Sequence, residues 1–153
     1  MNIKIRKFQT DHSSLKEWTR EDFLISLAMH VSDVQKGCAF IANKIIEAGI
    51  NHDYTKISLI DYFMEDNEKL AGVEFKAGKW GQAHINNERH HLNDKCPDDV
   101  TLIDVIEMLV DCTTASMARS GQPAEVTVSD EILRKAFQNT IEMLNKEIVL
   151  END

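Results

Sequence analysis

Seven apolar residues, Phe23, Leu27, Val31, Val34, Cys38, Ile41 and Ile45, recur at steps of three and four. That is the spacing of one face of an α-helix, and no strand accommodates it. The pattern predicts a long helix over 20–48. Thr19 with Asp22 three residues on resembles a capping box at its start, and Gly49 is a natural stop. Only 6 Gly and 2 Pro occur in 153 residues, so long helices can run uninterrupted elsewhere too. A second helix is expected over 54–70, with Ile57, Ile60, Phe63 and Met64 facing inward. A third is expected over 80–92, a fourth over 100–117, and a final amphipathic one after a Ser129 cap. "AGVEFKAGKW" and "NDKCPDD" read as loops, and "SGQPAEVTV" as an irregular or short extended connection. The expectation is an all-α fold of about five main helices around one core, in a single domain over 1–153. The final helix serves either as core or as the seam of a homodimer.

The formal net charge of −9 argues against binding a nucleic-acid polymer, which needs a basic face. The charge is uneven, however: Lys76, Lys79, Arg89 and Lys95 stand near most of the histidines. An acidic chain with a local cationic patch still accepts a small phosphorylated ligand. No apolar run approaches the roughly 20 residues of a membrane span. "MNIKIRKFQT" lacks the apolar stretch of a signal peptide, and a cytoplasmic protein is expected. Cys38, Cys96 and Cys112 fit no disulfide or zinc-finger spacing, and Cys38 and Cys112 read as core thiols.

Polar residues interrupt these apolar patterns at a few places. In "TLIDVIEMLVDCTTASM" nearly every position from Leu102 to Val110 is apolar, yet Asp104, Glu107 and Asp111 fall on one stripe. Either the stripe is solvated, or its buried like charges need a cation or protons. His30 borders the apolar stripe of the first helix, either as a hydrogen-bonded core residue or as a ligand oriented by Asp33 one turn on. His84 and His91 are seven residues apart and share a helical face, whereas His90 points roughly 100° away. They are either surface histidines or a metal-binding pair. His52 and Asp53 are not needed for the turn they occupy, because Gly49 and Asn51 already supply turn chemistry. Imidazole and carboxylate without thiolate suit Mn, Fe, Co, Ni or Zn, and the two oxygens of Asp53 suit a bridge between two ions.

Taken in order, His30, His52-Asp53 and Asp111 reproduce an H…HD…D series, and "HDYTK" matches the HDxxK form of that motif. In these residues the chain resembles the HD-domain metal-dependent phosphohydrolases. "HDYTK", "W…H…N..HH" and "EM..D" together are similar to a small family of phages and bacteria grouped with them. The resemblance covers roughly 27–118. It implies an HD-like helical bundle in which His30, His52, Asp53 and Asp111 hold one divalent ion. Asp53 with His84 and His91 (or His90) would hold a second. The ion implied is Mn, Fe, Co or Ni, with Mg or Zn also accommodated. Asp53, Lys56 and Glu107 are the implied catalytic residues, Lys56 offsetting phosphate charge and Glu107 orienting a water or a histidine. Lys56, Arg89 and His90 are assigned to the substrate side. The expected activity is hydrolysis of a small phosphorylated substrate, a nucleotide first of all. The alternatives are a noncatalytic module that binds a nucleotide or a partner, and a di-iron oxygenase of the same ligand set. The further phosphate- and base-reading residues of well-known relatives have no clear match here beyond Arg20 and Arg89.

Overall fold

Leu92, Val100, Val105, Met108 and Ala136 form the buried centre of the molecule's larger unit, and Cys96, Leu102, Cys112, Val126, Val128 and Ile132 pack against them. The computed structural model describes residues 2–6 and 19–151. In chain order these form β1 (Ile3–Ile5), α1 (Arg20–Asn51), α2 (Tyr54–Ser58), α3 (Ile60–Lys69), α4 (Val73–Ala77), α5 (Lys79–Asn87), α6 (Leu102–Ser120), α7 (Asp130–Glu147) and β2 (Ile148–Leu150). The fold is all-α, with only those two short strands among the described residues. Among the described residues no helix is long and apolar enough to cross a membrane. The chain divides into two compact units, Met1–Lys44 with Ile141–Asp153, and Ile45–Thr140. The division runs through α1 and α7 and does not follow a linker.

In the larger unit, α6 is fixed at both ends. Asp104 accepts hydrogen bonds from the Thr101 backbone N–H at 2.7 Å and its hydroxyl at 2.9 Å, reaching back over the first turn. The next free amide, Leu102 N–H, donates to the buried Thr140 hydroxyl of α7 at 2.9 Å. At the far end Gly121 takes φ 70°, a left-handed conformation that costs a residue without Cβ little. In the same unit Phe63 of α3 stands edge-on to both Phe75 of α4 and Trp80 of α5, whose own rings are tilted by 33°. Gly81 lets α5 come close to α4, because a Cβ there would run into the Lys76 carbonyl.

In the smaller unit, β1 and β2 pair in parallel with Ile3 opposite Ile148. The Asp22 N–H donates to the Thr19 hydroxyl at 3.1 Å and the Asp22 carboxylate accepts from the Thr19 backbone N–H at 3.2 Å, the capping box expected at the head of α1.

Several expectations are corrected by the structure. α1 continues through Gly49 to Asn51. Its stripe residues Phe23, Leu27, Val31 and Val34 are 40–49% exposed, and Cys38 is exposed. Periodicity specifies which residues share a face, but not what covers that face. The single helix expected over 54–70 is interrupted at Leu59 (φ −112°, ψ 25°), and of its inward residues Ile57, Ile60 and Met64 are exposed, with only Phe63 packed. "VEFKA" is a helical turn where a loop was expected. The third helix stops at Asn87, because Glu88 is extended (φ −95°, ψ 125°) and both Glu88 and Arg89 take distant partners. The terminal strands were also missed, although the β-branched alternation of "NIKI" and "EIVL" favours them.

Candidate metal centre

Between the end of α1 and the start of α2 the chain reverses over two residues, His52 and Asp53. Asp53 adopts φ 59°, the only positive φ at a non-glycine among the described residues. Aspartate tolerates this region better than most residues, but the conformation still costs on the order of 1 kcal/mol, and such costs cluster at functional positions.

Three histidines close around the Asp53 carboxylate, and a fourth, His91, joins them through His84. Its Oδ1 lies 3.4 Å from His84 Nε2 and 3.7 Å from His90 Nε2, and Oδ2 lies 3.4 Å from His52 Nε2. His52 Nε2 is also 3.4 Å from Asp111 Oδ1, and His91 Nε2 is 2.8 Å from His84 Nε2. Asp53 Oδ1 is buried and accepts no hydrogen bond. A buried carboxylate oxygen without a donor is costly unless something positive joins it. The surrounding nitrogens stand back from it at separations too long for hydrogen bonds but short enough to share an ion.

The opposite edges of three of these rings are tied down. Glu107 Oε1 lies 2.9 Å from His52 Nδ1 and 3.1 Å from His90 Nδ1. His84 Nδ1 lies 2.7 Å from the Thr55 hydroxyl, whose own oxygen is 2.5 Å from Glu88 Oε1. A hydroxyl has one proton; Thr55 donates it to the carboxylate and therefore accepts from His84 Nδ1–H. That tautomer leaves the His84 Nε2 lone pair facing the centre, where it accepts from His91 Nε2–H. Trp80 stacks on the same ring at 5.2 Å and 3°, fixing its plane. Holding Nδ1 by a carboxylate or hydroxyl is how proteins orient a metal-binding imidazole.

The electrostatics agree with this division of labour. Burial works against ionisation of Asp53, but the Lys56 ammonium and the neighbouring imidazoles outweigh it and hold the carboxyl below its ordinary range. Burial also opposes the charge on Glu107, and the hydrogen bonds from His90 and His52 outweigh it, again in favour of carboxylate. Burial pushes His84 down and takes His91 to about 4, helped by the charges of His90 and His84. His90 moves the other way, since its bond to Glu107 more than offsets its burial.

Three overlapping groups of this set can hold a metal ion: His84, His90 and His91; His52, His90 and Glu107; and Asp53, His84 and Glu88. The donors are nitrogen and oxygen only, in a half-buried recess, which suits a first-row transition ion. Two cavities open beside it. One, about 180 Å³ and mostly apolar, is lined by Ile45, Ile103, Ile106 and Val110 and reaches His52, Glu107 and Asp111. The other, about 550 Å³, reaches Lys56, His91 and Asp111.

Of the residues singled out in the sequence, His52, Asp53, Lys56, His84, His90, His91, Glu107 and Asp111 are brought together. Lys56 pairs with Asp53 at the rim. His30 is exposed on the part of α1 that belongs to the smaller unit, and no metal-holding group among the described residues contains it. Arg20 also lies in that smaller unit. Arg89 is occupied by Asp104 and Asp99. His90, assigned to the substrate side or as the alternative to His91, is 2% exposed at the middle of the cluster, since the helix ends before it. Glu88 and Thr55 were missed. The spacing of Glu88 four residues after His84 was the available signal. No protein-family model matches the chain, nor does any curated protein or solved structure.

Proposed function

We propose that this protein is a metal-dependent phosphohydrolase acting on a small phosphorylated compound. The observation that carries the reading is the buried, donorless Asp53 Oδ1 facing imidazole nitrogens whose opposite edges are already held. His52, Asp53 and Asp111 are the ligands that the HD-like motif calls for. His84, His90 and His91, gathered at and just beyond the end of α5, add three imidazoles to that set. The ion is Mn, Fe, Co or Ni, with one or two bound. When present, it lowers the pKa of a coordinated water and polarises the phosphoryl group.

The chain's own residues supply the rest. Lys56 stands at the rim with its ammonium on Asp53, ready to turn to a non-bridging phosphate oxygen as a mobile point charge. Asp111 lines both cavities and completes the donor set on the open side. Glu107 holds the rings of His52 and His90 and leaves the water to others. Water attacks phosphorus, the P–O bond to the leaving group breaks, and the leaving oxygen carries away a proton.

The test is metal analysis of the purified protein, followed by phosphate release from nucleoside mono-, di- and triphosphates with added Mn, Co, Ni or Mg. Metal-dependent release, lost in Asp53→Asn, is expected. No bound metal under any condition overturns the reading. Bound iron with oxygen uptake and no phosphate release would replace it by the oxygenase alternative.

A further inference from the structure

The 550 Å³ cavity runs from Lys56, His91 and Asp111 at one end to Arg119 at the other, along one face of α6. Asp111, Ala115 and Arg119 are four residues apart, so they line up on that face, and the small Ala115 leaves the groove between the two ends open. Arg119 is eight helical rises beyond Asp111, roughly 12 Å. The size falls within the range of small-molecule sites. No Phe, Tyr or Trp among the described residues lines it, and its one ring, His91, belongs to the cluster at the first end. Its second cation is unspent: the Arg119 guanidinium makes no hydrogen bond or ion pair with the described residues, whereas Arg89, Lys76 and Lys135 are each engaged by an aspartate. A guanidinium is the side chain best matched to a phosphate or carboxylate.

We propose that Arg119 reads a second anionic group of the ligand, so that the site takes a doubly anionic small molecule such as a bisphosphate. One anion lies at the His/Asp cluster and the other at the end of α6. This rests on the phosphohydrolase reading for the role of the first anion only. Glu125 on the same wall opposes it. A diffuse positive field is therefore absent there, and recognition depends on contact with the guanidinium itself. A cation in the last turn of a helix also interacts with the helix dipole, but that role is blind to a ligand's second charge.

The test uses Mn-loaded full-length protein and two probes of matched length, hexamethylene bisphosphonate and hexylphosphonate, with affinity measured by calorimetry. Wild type should prefer the bisphosphonate by about tenfold or more. Arg119→Gln should abolish the preference without changing hexylphosphonate affinity, and Glu125→Gln should increase it. Thermal melts of both variants verify that they fold. Equal affinities in wild type, or a preference that survives Arg119→Gln, overturn the proposal. Phosphate release from p-nitrophenyl phosphate, followed in parallel, tests the hydrolase reading separately. Release without a bisphosphonate preference refutes only the role of Arg119. A preference without release refutes only the hydrolase.

Discussion

Arg89 grips Asp104 with both arms of its fork, Nε at 2.7 Å from Oδ1 and Nη2 at 3.0 Å from Oδ2. The carboxylate is 5% exposed and also closes the first turn of α6 through Thr101. Asp104 is therefore a structural acid, although the sequence set it on one stripe with Glu107 and Asp111. Asp104→Asn should keep the shape and lose the charge that holds Arg89, destabilising the protein by about 2 kcal/mol. Thermal denaturation measures this, and metal content should stay at the wild-type level. An unchanged melt would mean that the pair contributes nothing.

The orphaned oxygen of Asp53 leads to a different outcome. Added Mn or Co should raise the wild-type melting temperature in a concentration-dependent way, because an ion that binds only the folded state stabilises it by mass action. In Asp53→Asn, the metal-free melt should persist and the response to metal should vanish. Asp111→Asn should likewise fold, with turnover falling at least about a hundredfold, beyond what loss of an outer partner costs. A variant of Asp53 that still binds stoichiometric metal would move the centre elsewhere in the cluster.

Much of this was legible in the sequence, and the gaps have physical causes. Helical class, the Thr19 cap and the approximate places of α1, α6 and α7 follow from periodicity and end signals, which are local. The breaks at Leu59 and Glu88 are not local. Glu88 leaves the helix while accepting from Thr55, 33 residues away, and Arg89 while gripping Asp104. No propensity records such partners. The same break decides His90: on a continued helix it would face away, and only the turn brings it onto Glu107. The place of His30 in an ordered series is readable, but order along a chain does not by itself say which residues meet in space.

Glu107 provides a test of the ring-holding arrangement. Glu107→Gln keeps the size of the side chain but removes the charge that both His52 Nδ1 and His90 Nδ1 point to. Metal affinity should weaken by about 10–100-fold with the ligand set intact. His90→Ala, at the 2% exposed centre of the cluster, should cost metal at least as much as His91→Ala. Isothermal titration with Co would rank these variants. If His90→Ala binds as well as wild type, the metal lies toward His91 and away from Glu107.

The histidines also set a pH window for the metal-free protein. His84 is shifted down, and His91 is taken to about 4, both by burial first and then, for His91, by neighbouring histidine charge. Their neutral forms are favoured by folding, so below the ordinary value of about 6.5 the unfolded chain takes up protons that the folded chain refuses. Stability from these two residues is full above pH 6.5 and is lost as pH falls toward 4. His90, shifted up by Glu107, has the opposite sign. Its contribution is full below pH 6.5 and fades only as pH rises through its raised value, so it does not mask the acid limb. Asp53 and Glu107, shifted down, lose their contributions only below the ordinary carboxylate range. Urea midpoints of metal-free protein should therefore fall steadily between pH 6.5 and 4, and His91→Asn should flatten that slope. Nitrogen NMR should find His91 still neutral at pH 5.5 while His90 is protonated. A slope unchanged in His91→Asn would place the acid sensitivity in other groups.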